Sequence, residues 1–364
     1  MKLKRIKIDI DWVLVIVPII IAIMSCATLY SITAFSGKGR LVIDQIVNFG
    51  IGTAIYLLFT FLDYRELKKY YPYLYILGLI FLGLVIFLGD VAYGSKRWIN
   101  LGFVQIQPSE IMKLFYIISA ASFLSIKKKF GVFELIIFTV LALIPIGLIL
   151  IEPDLGTALT IIVIFLAYIF LSGTVPRKFA LAIIAAMIII SPIAWSRLLP
   201  YQKQRLTSFV NSSSDPLGSG YNVNQSKIAI GSGGLIGRGF SGATQSQLQF
   251  LPIAHIDFIF SGWAEATGFL GSIFLVGIYA VLIWRIFSIY RFSRDDIGAH
   301  LLLGAGVLFA FQTFVNIGMN TGILPVTGIP LPLMSYGGTS ILTSSALLGM
   351  VQSVYLRRKS LKFD

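Results

Sequence analysis

Apolar residues occur along this chain in ten long runs, separated by short polar segments. The hydrocarbon core of a bilayer is about 30 Å thick, so a helix that crosses it needs about 20 mostly apolar residues. Each run is close to that length or longer. The runs cover residues 12–33, 42–62, 71–89, 108–126, 132–150, 155–172, 178–195, 258–289, 298–321 and 334–356.

The interior of a bilayer offers no hydrogen-bond partners, so a segment within it must satisfy its backbone groups internally. This favours helices over strands for all ten runs. The composition agrees, since 57% of the residues are hydrophobic and only 12% are charged. The sequence therefore predicts an all-α polytopic membrane protein that forms a single integral membrane domain over residues 1–364.

The formal net charge of +13 would suggest a nucleic-acid partner in a soluble domain. If loops are assigned alternately from a cytoplasmic N-terminus, however, the inner side holds 18 Lys and Arg residues and the short outer loops hold four. This asymmetry follows the positive-inside rule. It predicts that both termini are cytoplasmic and that the charge attracts anionic lipid, with no nucleic-acid partner. Cys26 is the only cysteine, which excludes disulfides and Cys-based metal sites.

Three connections on the predicted outer side are unusual. Residues 90–107 form one long loop, and residues from about 196 to 256 form a large extracytoplasmic loop between the seventh and eighth spans. Loops of this length in a compact bundle are typically functional. Residues 322–332 contain three prolines and few polar side chains, so we expect irregular backbone that packs against protein at membrane depth. The working surface should therefore face outward.

Gly237-Arg-Gly-Phe-Ser-Gly242 matches the dinucleotide-binding pattern G-x-G-x-x-G. That motif functions between a strand and a helix of a βαβ unit, and the sequence predicts neither around this segment. We therefore expect these glycines to form a tight fold that lets the backbone approach a ligand or the membrane surface.

Asp257 lies where the large loop re-enters the bilayer, between Ile256 and Phe258. A carboxylate in such surroundings is costly unless it faces a cavity or a partner. Desolvation raises the pKa of an aspartate above about 3.9, toward that of a useful general base. Alternatively, Asp257 is a helix N-terminal carboxylate stabilised by the helix dipole. His255 is a candidate hydrogen-bond donor near it, or a residue that only orients the loop.

Glu110 and Lys113 are three residues apart and share one face of a helix, with Pro108 suited to its first position. One interpretation is a pair of charges that lines an outward cavity. The other is a local ion pair from which Lys113 extends to the outer interface.

Arg97 lies beside Trp98 in the preceding outer loop. A guanidinium binds phosphate oxygens well, whereas Trp98 is also typical of an interfacial anchor. Glu152 and Asp154 lie at the outer end of the fifth span, where Asp154 is suited to cap the sixth.

Six segments on the predicted outer half occur in one order: Gly94–Gly102, Gln107–Lys113, Glu152–Thr157, Gln225–Gly234, Asp257–Phe260 and Leu324–Gly338. Together they resemble the SEDS family (shape, elongation, division and sporulation) of polytopic peptidoglycan glycosyltransferases. The resemblance covers nearly the whole chain. Thr244–Leu248 and Pro325–Pro330 are more similar to the elongation members of the family than to the division members.

The resemblance implies a peptidoglycan polymerase that joins lipid II into β-1,4-linked glycan strands. It would act on the outer face of the bacterial cytoplasmic membrane during cell elongation and would invert the anomeric centre. The resemblance implies Asp257 as the general base for the acceptor hydroxyl. Lys113, held by Glu110, and Arg97 are candidates for stabilising the departing diphosphate.

Around Asp257, some positions match the family pattern and others depart from it. His255 and Glu265 match it, and the resemblance implies that both bind the substrate or support the site. Ile253, Ile256 and Ala266 stand where the family usually has Glu, Thr and a second Glu. We expect these substitutions to concern the contacts with the acceptor and not the class of reaction.

The resemblance also implies partners: a class B penicillin-binding protein that cross-links the new strands, and other membrane proteins of the elongation complex. A divalent cation could share the neutralisation of the diphosphate, although the sequence offers no dedicated ligand set. A lipid II flippase and a non-catalytic scaffold are alternative functions. Transporters often have broken helices in two related halves, whereas the irregular and glycine-rich features of this chain lie on one side only.

Overall fold

The computed structural model describes residues 9–34, 39–92, 95–100, 105–127, 130–176, 178–183, 219–248, 250–251, 254–293 and 295–358, with the single positions 185, 196 and 203. Helices dominate this part of the chain, and eleven of them have described bounds. They are α1 (Val13–Thr33), α2 (Arg40–Phe61), α3 (Leu67–Leu88), α4 (Pro108–Ile126), α5 (Val132–Ile151), α6 (Leu155–Leu171), α7 (Ser219–Ser232), α8 (Thr244–Gln247), α9 (Ile259–Arg291), α10 (Asp296–Thr321) and α11 (Gly338–Leu356).

A small sheet lies between α3 and α4, where the sequence predicts only a loop. Its three antiparallel strands follow chain order: β1 (Asp90–Ala92), β2 (Ser95–Asn100) and β3 (Gln105–Ile106). Asp90 pairs with Trp98, and Ile99 pairs with Ile106. Because β3 ends just before α4 begins, the sheet lies at the start of that helix.

Eight of the described helices are long and apolar enough to cross a membrane, and α6, with 17 residues, is slightly shorter. Nine of the ten predicted spans therefore correspond to helices, with bounds that differ by a few residues. The remaining predicted span, 178–195, lies largely outside the described residues. The chain is a polytopic helical membrane protein, as predicted. The total of ten spans, the side of the termini and the extent of the outer loop stay predictions.

The centre of the bundle is formed by α4, α10 and α11. In each of them at least 78% of the most apolar stretch is buried, against 11% in α2 and 17% in α3. The two peripheral helices pack against α11 and α4 respectively. Buried polar side chains such as Lys113, Asn316 and Gln352 lie on the central helices. Polar groups inside a membrane protein are stable where they face protein or a wet cavity, so these helices are where a site can be built.

The segment 322–337 is irregular, as the sequence predicts for its first part. Side chains from surrounding helices bind its main-chain carbonyls. Ser25 of α1 donates to the carbonyl of Met334 at 2.6 Å, and Tyr279 of α9 donates to that of Pro332 at 2.6 Å. Irregular backbone is tolerated within a membrane protein when protein groups satisfy it, and hydroxyls of the helices do so here.

Candidate active site

Asp257 lies in a turn, residues 254–258, that leads directly into α9. Two asparagines of α10 hold this turn by its main chain. The side-chain amides of Asn316 and Asn320 donate to the carbonyl of Asp257 at 3.1 and 2.9 Å. The capping position of α9 is Phe258, so Asp257 is not the residue that caps the helix. These two hydrogen bonds hold the main chain of the turn against α10.

Asn320 is the centre of a buried hydrogen-bond network. Its side-chain oxygen accepts hydrogen bonds from the main-chain N–H and the hydroxyl of Ser261, at 3.1 and 2.6 Å. The Ser261 hydroxyl lies 2.5 Å from that of Ser226, which donates to the main-chain carbonyl of Asn320 at 2.6 Å. The network therefore joins α7, α9 and α10 beside the Asp257 turn.

We expect Asn320→Ala to lower both thermal stability and any activity that depends on Asp257. The substitution leaves Ser261 and the Asp257 carbonyl without one of their partners, and an unsatisfied buried polar group costs about 1–3 kcal/mol. Thermal unfolding in detergent measures the effect. Thr321→Ala is a matched control, because its hydroxyl bonds carbonyls of its own helix. Equal unfolding temperatures for the two variants would contradict the importance of the network.

Asn316 and Asn320 belong to a polar stripe along α10. Together with Gln312 they are spaced by four residues, so all three lie on one helix face. All three are buried. Gln312 lines the same small internal space as Glu110 and Lys113 of α4. Sequence reasoning missed this stripe, although polar residues four apart within an apolar span are a usable signal.

The ion pair between Glu110 and Lys113 forms as predicted, with 2.5 Å between Lys113 Nζ and Glu110 Oε1. The expectation that Lys113 extends to the outer interface is wrong, since its side chain is only 2% exposed and that of Glu110 only 4%. The reason is tertiary: α10 and α11 pack on this face of α4. In the described residues, Glu110 and Lys113 form a buried ion pair inside the bundle and do not line an open cavity.

The irregular segment 322–337 packs over the Asp257 turn. Ser335 donates its hydroxyl to the carbonyl of Ile256 at 2.6 Å. The main-chain N–H of Tyr336 donates to the carbonyl of His255 at 2.9 Å, and the two rings meet edge to face with centroids 5.8 Å apart. These contacts agree with a role for His255 in orienting the loop. A hydrogen bond from His255 to Asp257 stays a prediction.

The short stretch of residues 327–329 lies next to both the Asp257 carboxylate and the start of α6. A glycine makes each of these two close contacts possible. Gly328 has a φ of +73°, and a Cβ added there would lie 3.8 Å from Asp257 Oδ2. Gly156 lies in the first turn of α6, and a Cβ there would lie 2.8 Å from the Thr327 carbonyl. Glycine is needed at both positions, for its positive φ in one case and for a close approach in the other.

Asp154 caps α6, as predicted. Its carboxylate accepts hydrogen bonds from the main-chain N–H of Thr157 at 3.1 Å and from the Thr157 hydroxyl at 2.8 Å. Gln107 and Ser109, at the start of α4, donate to the same carboxylate at 3.1 and 3.2 Å. Asp154 therefore joins the N-termini of α4 and α6.

Arg97 of β2 contacts the turn that precedes α6. Its guanidinium donates to the carbonyl of Pro153 at 2.8 Å and lies 3.7 Å from the Asp154 carboxylate. The side chain is 20% exposed, so part of it is accessible. Because the Asp154 carboxylate already caps α6, the group of this turn that suits an anion such as a phosphate is the exposed part of the Arg97 guanidinium.

Glu152 is buried beside Arg97, and neither of its carboxylate oxygens has a hydrogen-bond partner among the described residues. Burial, with a smaller effect of Asp154, raises the pKa of Glu152 from 4.5 to about 8, although Arg97 opposes the shift. Between these values the folded protein holds a proton that the unfolded chain has lost. The free energy of unfolding therefore falls as pH rises through this window, and the contribution of Glu152 is most favourable below it.

We expect Glu152→Gln to remove this part of the pH dependence. Thermal unfolding in detergent at about pH 5 and pH 8 should show a loss of stability at the higher pH in the wild type and a smaller loss in the variant. Glu66→Gln is a suitable control, because Glu66 is an exposed carboxylate paired with Lys69. The same pH dependence in wild type and Glu152→Gln would show that the raised pKa is wrong.

Glu265, the remaining predicted site residue, holds the short helix α8. Its carboxylate accepts hydrogen bonds from the main-chain N–H of Gln245 at 2.8 Å, and from the N–H and hydroxyl of Ser246 at 3.0 and 2.6 Å. The side chain is fully buried. A carboxylate at a helix N-terminus is stabilised by the free N–H groups there. In this structure Glu265 therefore positions a segment of the loop that precedes α9.

In the described residues around it, the glycine motif lacks the structural context of a dinucleotide-binding site. Among the described residues before Gly237, from 219 onward, no strand leads into the glycine motif, and Gly237 packs tightly against the carbonyl of Ala266. In the described part of the chain, no group of three or more His, Cys, Asp or Glu side chains could hold a metal ion. Whether a divalent cation takes part stays a prediction.

Residues 8–360 match the FtsW/RodA/SpoVE family, which is described as cell cycle proteins. The peptidoglycan glycosyltransferase MrdB of Escherichia coli K12 is 36% identical over 363 residues, which cover 98% of this chain and 96% of that protein. The probable peptidoglycan glycosyltransferase FtsW of Coxiella burnetii is 38% identical over 296 residues, or 78% of each chain.

Solved structures match over almost the same length. A chain from a study of how a peptidoglycan synthase complex coordinates polymerisation and crosslinking has a TM-score of 0.83 and 30% identity, covering 96% of this chain and 98% of that one. The rod shape determining protein RodA of Thermus thermophilus has a TM-score of 0.73 and 29% identity, covering 97% and 99%. This protein therefore belongs to the FtsW/RodA/SpoVE family, the SEDS family that its outer motifs indicate.

Proposed function

We propose that this protein is an inverting peptidoglycan glycosyltransferase that polymerises lipid II into β-1,4-linked glycan strands during cell elongation. Two curated relatives carry the names peptidoglycan glycosyltransferase and probable peptidoglycan glycosyltransferase. The observation that carries the mechanism is the anchoring of the Asp257 turn by Asn316 and Asn320, which both donate to the main-chain carbonyl of Asp257. The elongation role is supported by the similarity to RodA and MrdB.

In the proposed reaction, Asp257 accepts the proton of the acceptor sugar's 4-hydroxyl while that oxygen attacks the anomeric carbon of the donor. The bond from this carbon to the diphosphate oxygen breaks on the opposite face, and the polyprenyl diphosphate leaves with the bonding electrons. An α-linked donor thereby yields a β-linked product. A positioned general base typically contributes about 10²- to 10⁴-fold to such a step.

The departing diphosphate needs positive charge or hydrogen-bond donors in fixed positions. Arg97 is the group that we propose for this role, because it is partly exposed and lies beside the start of α6, which contacts the 327–329 stretch next to Asp257. Lys113 is deeply buried against Glu110. We therefore propose that Lys113 acts through the polar stripe of α10, as a fixed charge behind the site.

The membrane and a second protein complete the proposal. The substrate is lipid-linked, so the active site would lie on the outer face of the bacterial cytoplasmic membrane, with the termini inside. A class B penicillin-binding protein is the proposed partner, since one similar chain comes from a complex that couples polymerisation with crosslinking. Other elongation-complex membrane proteins are expected to join them.

Purified protein incubated with labelled lipid II in detergent tests this function. A polymerase should form glycan strands without any bilayer to cross, whereas a flippase or a scaffold should form none. The assay should be repeated with the class B penicillin-binding protein added, because that partner is expected to act on the same strands. If no polymer forms in either case, the proposed function is wrong.

A further inference from the structure

The glycine-rich segment 231–239 carries an exposed apolar pair that the proposed mechanism does not use. Leu235 is 71% exposed and Ile236 is 81% exposed; we refer to these two residues as the apolar tip. They lie beside Phe269 and Leu270 of α9, which are 57% and 62% exposed. Four large apolar side chains therefore form one exposed surface.

The apolar tip is fixed rigidly to α9. The helix is interrupted at Gly268, which has a φ of +69° and a ψ of −163°. The helical hydrogen bonds that are lost there are replaced by bonds to the glycine-rich segment, so the main-chain groups stay satisfied. The four bonds, donor first, are Phe269 to Gly234 (2.9 Å), Leu270 to Leu235 (3.1 Å), Arg238 to Glu265 (3.0 Å) and Gly239 to Ala266 (2.9 Å).

The length of α9 indicates where this junction lies in the membrane. The whole helix has 33 residues and is about 50 Å long, more than the hydrocarbon core of about 30 Å. The part after the kink, residues 269–291, is about 34 Å long and matches that thickness. Exposed apolar side chains such as Phe274 and Trp284 follow along it. The kink and the apolar tip therefore lie where α9 enters the bilayer.

We propose that the apolar tip inserts into the lipid leaflet on the Asp257 side of the membrane. Its surface continues into the lipid-facing side of α9 at Phe269 and Leu270. Arg238, which is exposed and two residues from Ile236, suits the phosphates of the lipid headgroups. Insertion fixes the distance of residues 259–267 from the lipid headgroups along the membrane normal. The distance of the Asp257 turn, which leads into these residues, is fixed with it. This consequence for a lipid-linked substrate rests on the proposed function, whereas the insertion does not.

The chain has a single cysteine, Cys26, which makes the depth of the tip measurable. In a Cys26→Ser background, Ile236→Cys carries a nitroxide spin label in vesicles of phosphatidylethanolamine and phosphatidylglycerol. Phe274→Cys is the lipid-exposed control. Ser241→Cys is the control on the same loop, because Ser241 is an exposed polar position. Collision rates with oxygen and with a water-soluble nickel chelate report the surroundings of each label.

We expect the label at Ile236 to resemble that at Phe274, with high oxygen and low nickel accessibility. Accessibility to nickel like that at Ser241 would place the tip in water and overturn the proposal. Low accessibility to both reagents would mean that protein covers the tip, from a second copy or a partner, and would overturn it too. Leu235→Cys repeats the measurement if Ile236→Cys does not fold.

The consequence for activity has its own test. Ile236→Glu should slow polymerisation of lipid II in vesicles relative to Ser241→Glu, since a charge opposes insertion. The two variants should differ less in detergent, where no bilayer sets the height of the site. Equal rates in vesicles would overturn the positional consequence. If the proposed function itself is wrong, the wild type should form no polymer, either in vesicles or in detergent.

Discussion

Asp257→Asn is expected to abolish glycan polymerisation while the fold stays intact. The amide has nearly the same size as the carboxylate but cannot serve as a base. The main-chain carbonyl still accepts hydrogen bonds from Asn316 and Asn320, so the turn should keep its position. Loss of a general base typically lowers a rate by about 10²- to 10⁴-fold. The measurement is the labelled lipid II assay, together with thermal unfolding of the same preparation.

Asp44→Asn is a matched control for this variant. Asp44 is an exposed aspartate of α2 that lies 3.8 Å from the exposed Arg40, so the variant should keep full activity. Near-normal polymerisation by Asp257→Asn would remove Asp257 from the mechanism. A large drop in unfolding temperature would show instead that the carboxylate has a structural role.

Lys113→Ala should have the largest effect on stability. It leaves the Glu110 carboxylate buried without its cation, and breaking a buried ion pair in this way typically costs about 3–5 kcal/mol. We expect a clear drop in unfolding temperature in detergent and a lower polymerisation rate. An unchanged unfolding temperature would contradict the buried pair.

The double variant Glu110→Gln with Lys113→Met separates structure from chemistry. Because this double variant has neither charge, no buried carboxylate is left without a cation. Its unfolding temperature should therefore be closer to that of the wild type than the unfolding temperature of Lys113→Ala is. If the polymerisation rate returns with it, the pair serves only the packing of α4 against α10 and α11. If the rate stays low in a stable protein, the charge of Lys113 contributes to the reaction.

Local patterns in the chain predicted features whose causes are themselves local. The thickness of a bilayer sets the length of an apolar run, so nine predicted spans correspond to described helices. The three-residue spacing of Glu110 and Lys113 predicted their ion pair, because such residues share a helix face. Asp154 was predicted to cap α6 from its place at the start of an apolar run, and it does.

Features that depend on distant residues could not be predicted in the same way. The support of the Asp257 turn comes from Asn316 and Asn320, about 60 positions later in the chain, and only helix packing brings these groups together. The resemblance to the SEDS family predicts Glu265 as a site residue, but it does not predict what its carboxylate binds. Its three donors come from Gln245 and Ser246, about 20 positions earlier in the chain.

The sequence by itself determined the class of protein and the positions of nine apolar helices, since hydropathy and helix geometry act over one turn or one membrane thickness. Tertiary structure alone decided which charges are buried, which polar groups meet, and how the glycine-rich segment completes the broken helix at Gly268. The physical reason is that burial and hydrogen bonding between elements depend on how helices pack, and a linear pattern does not contain that information.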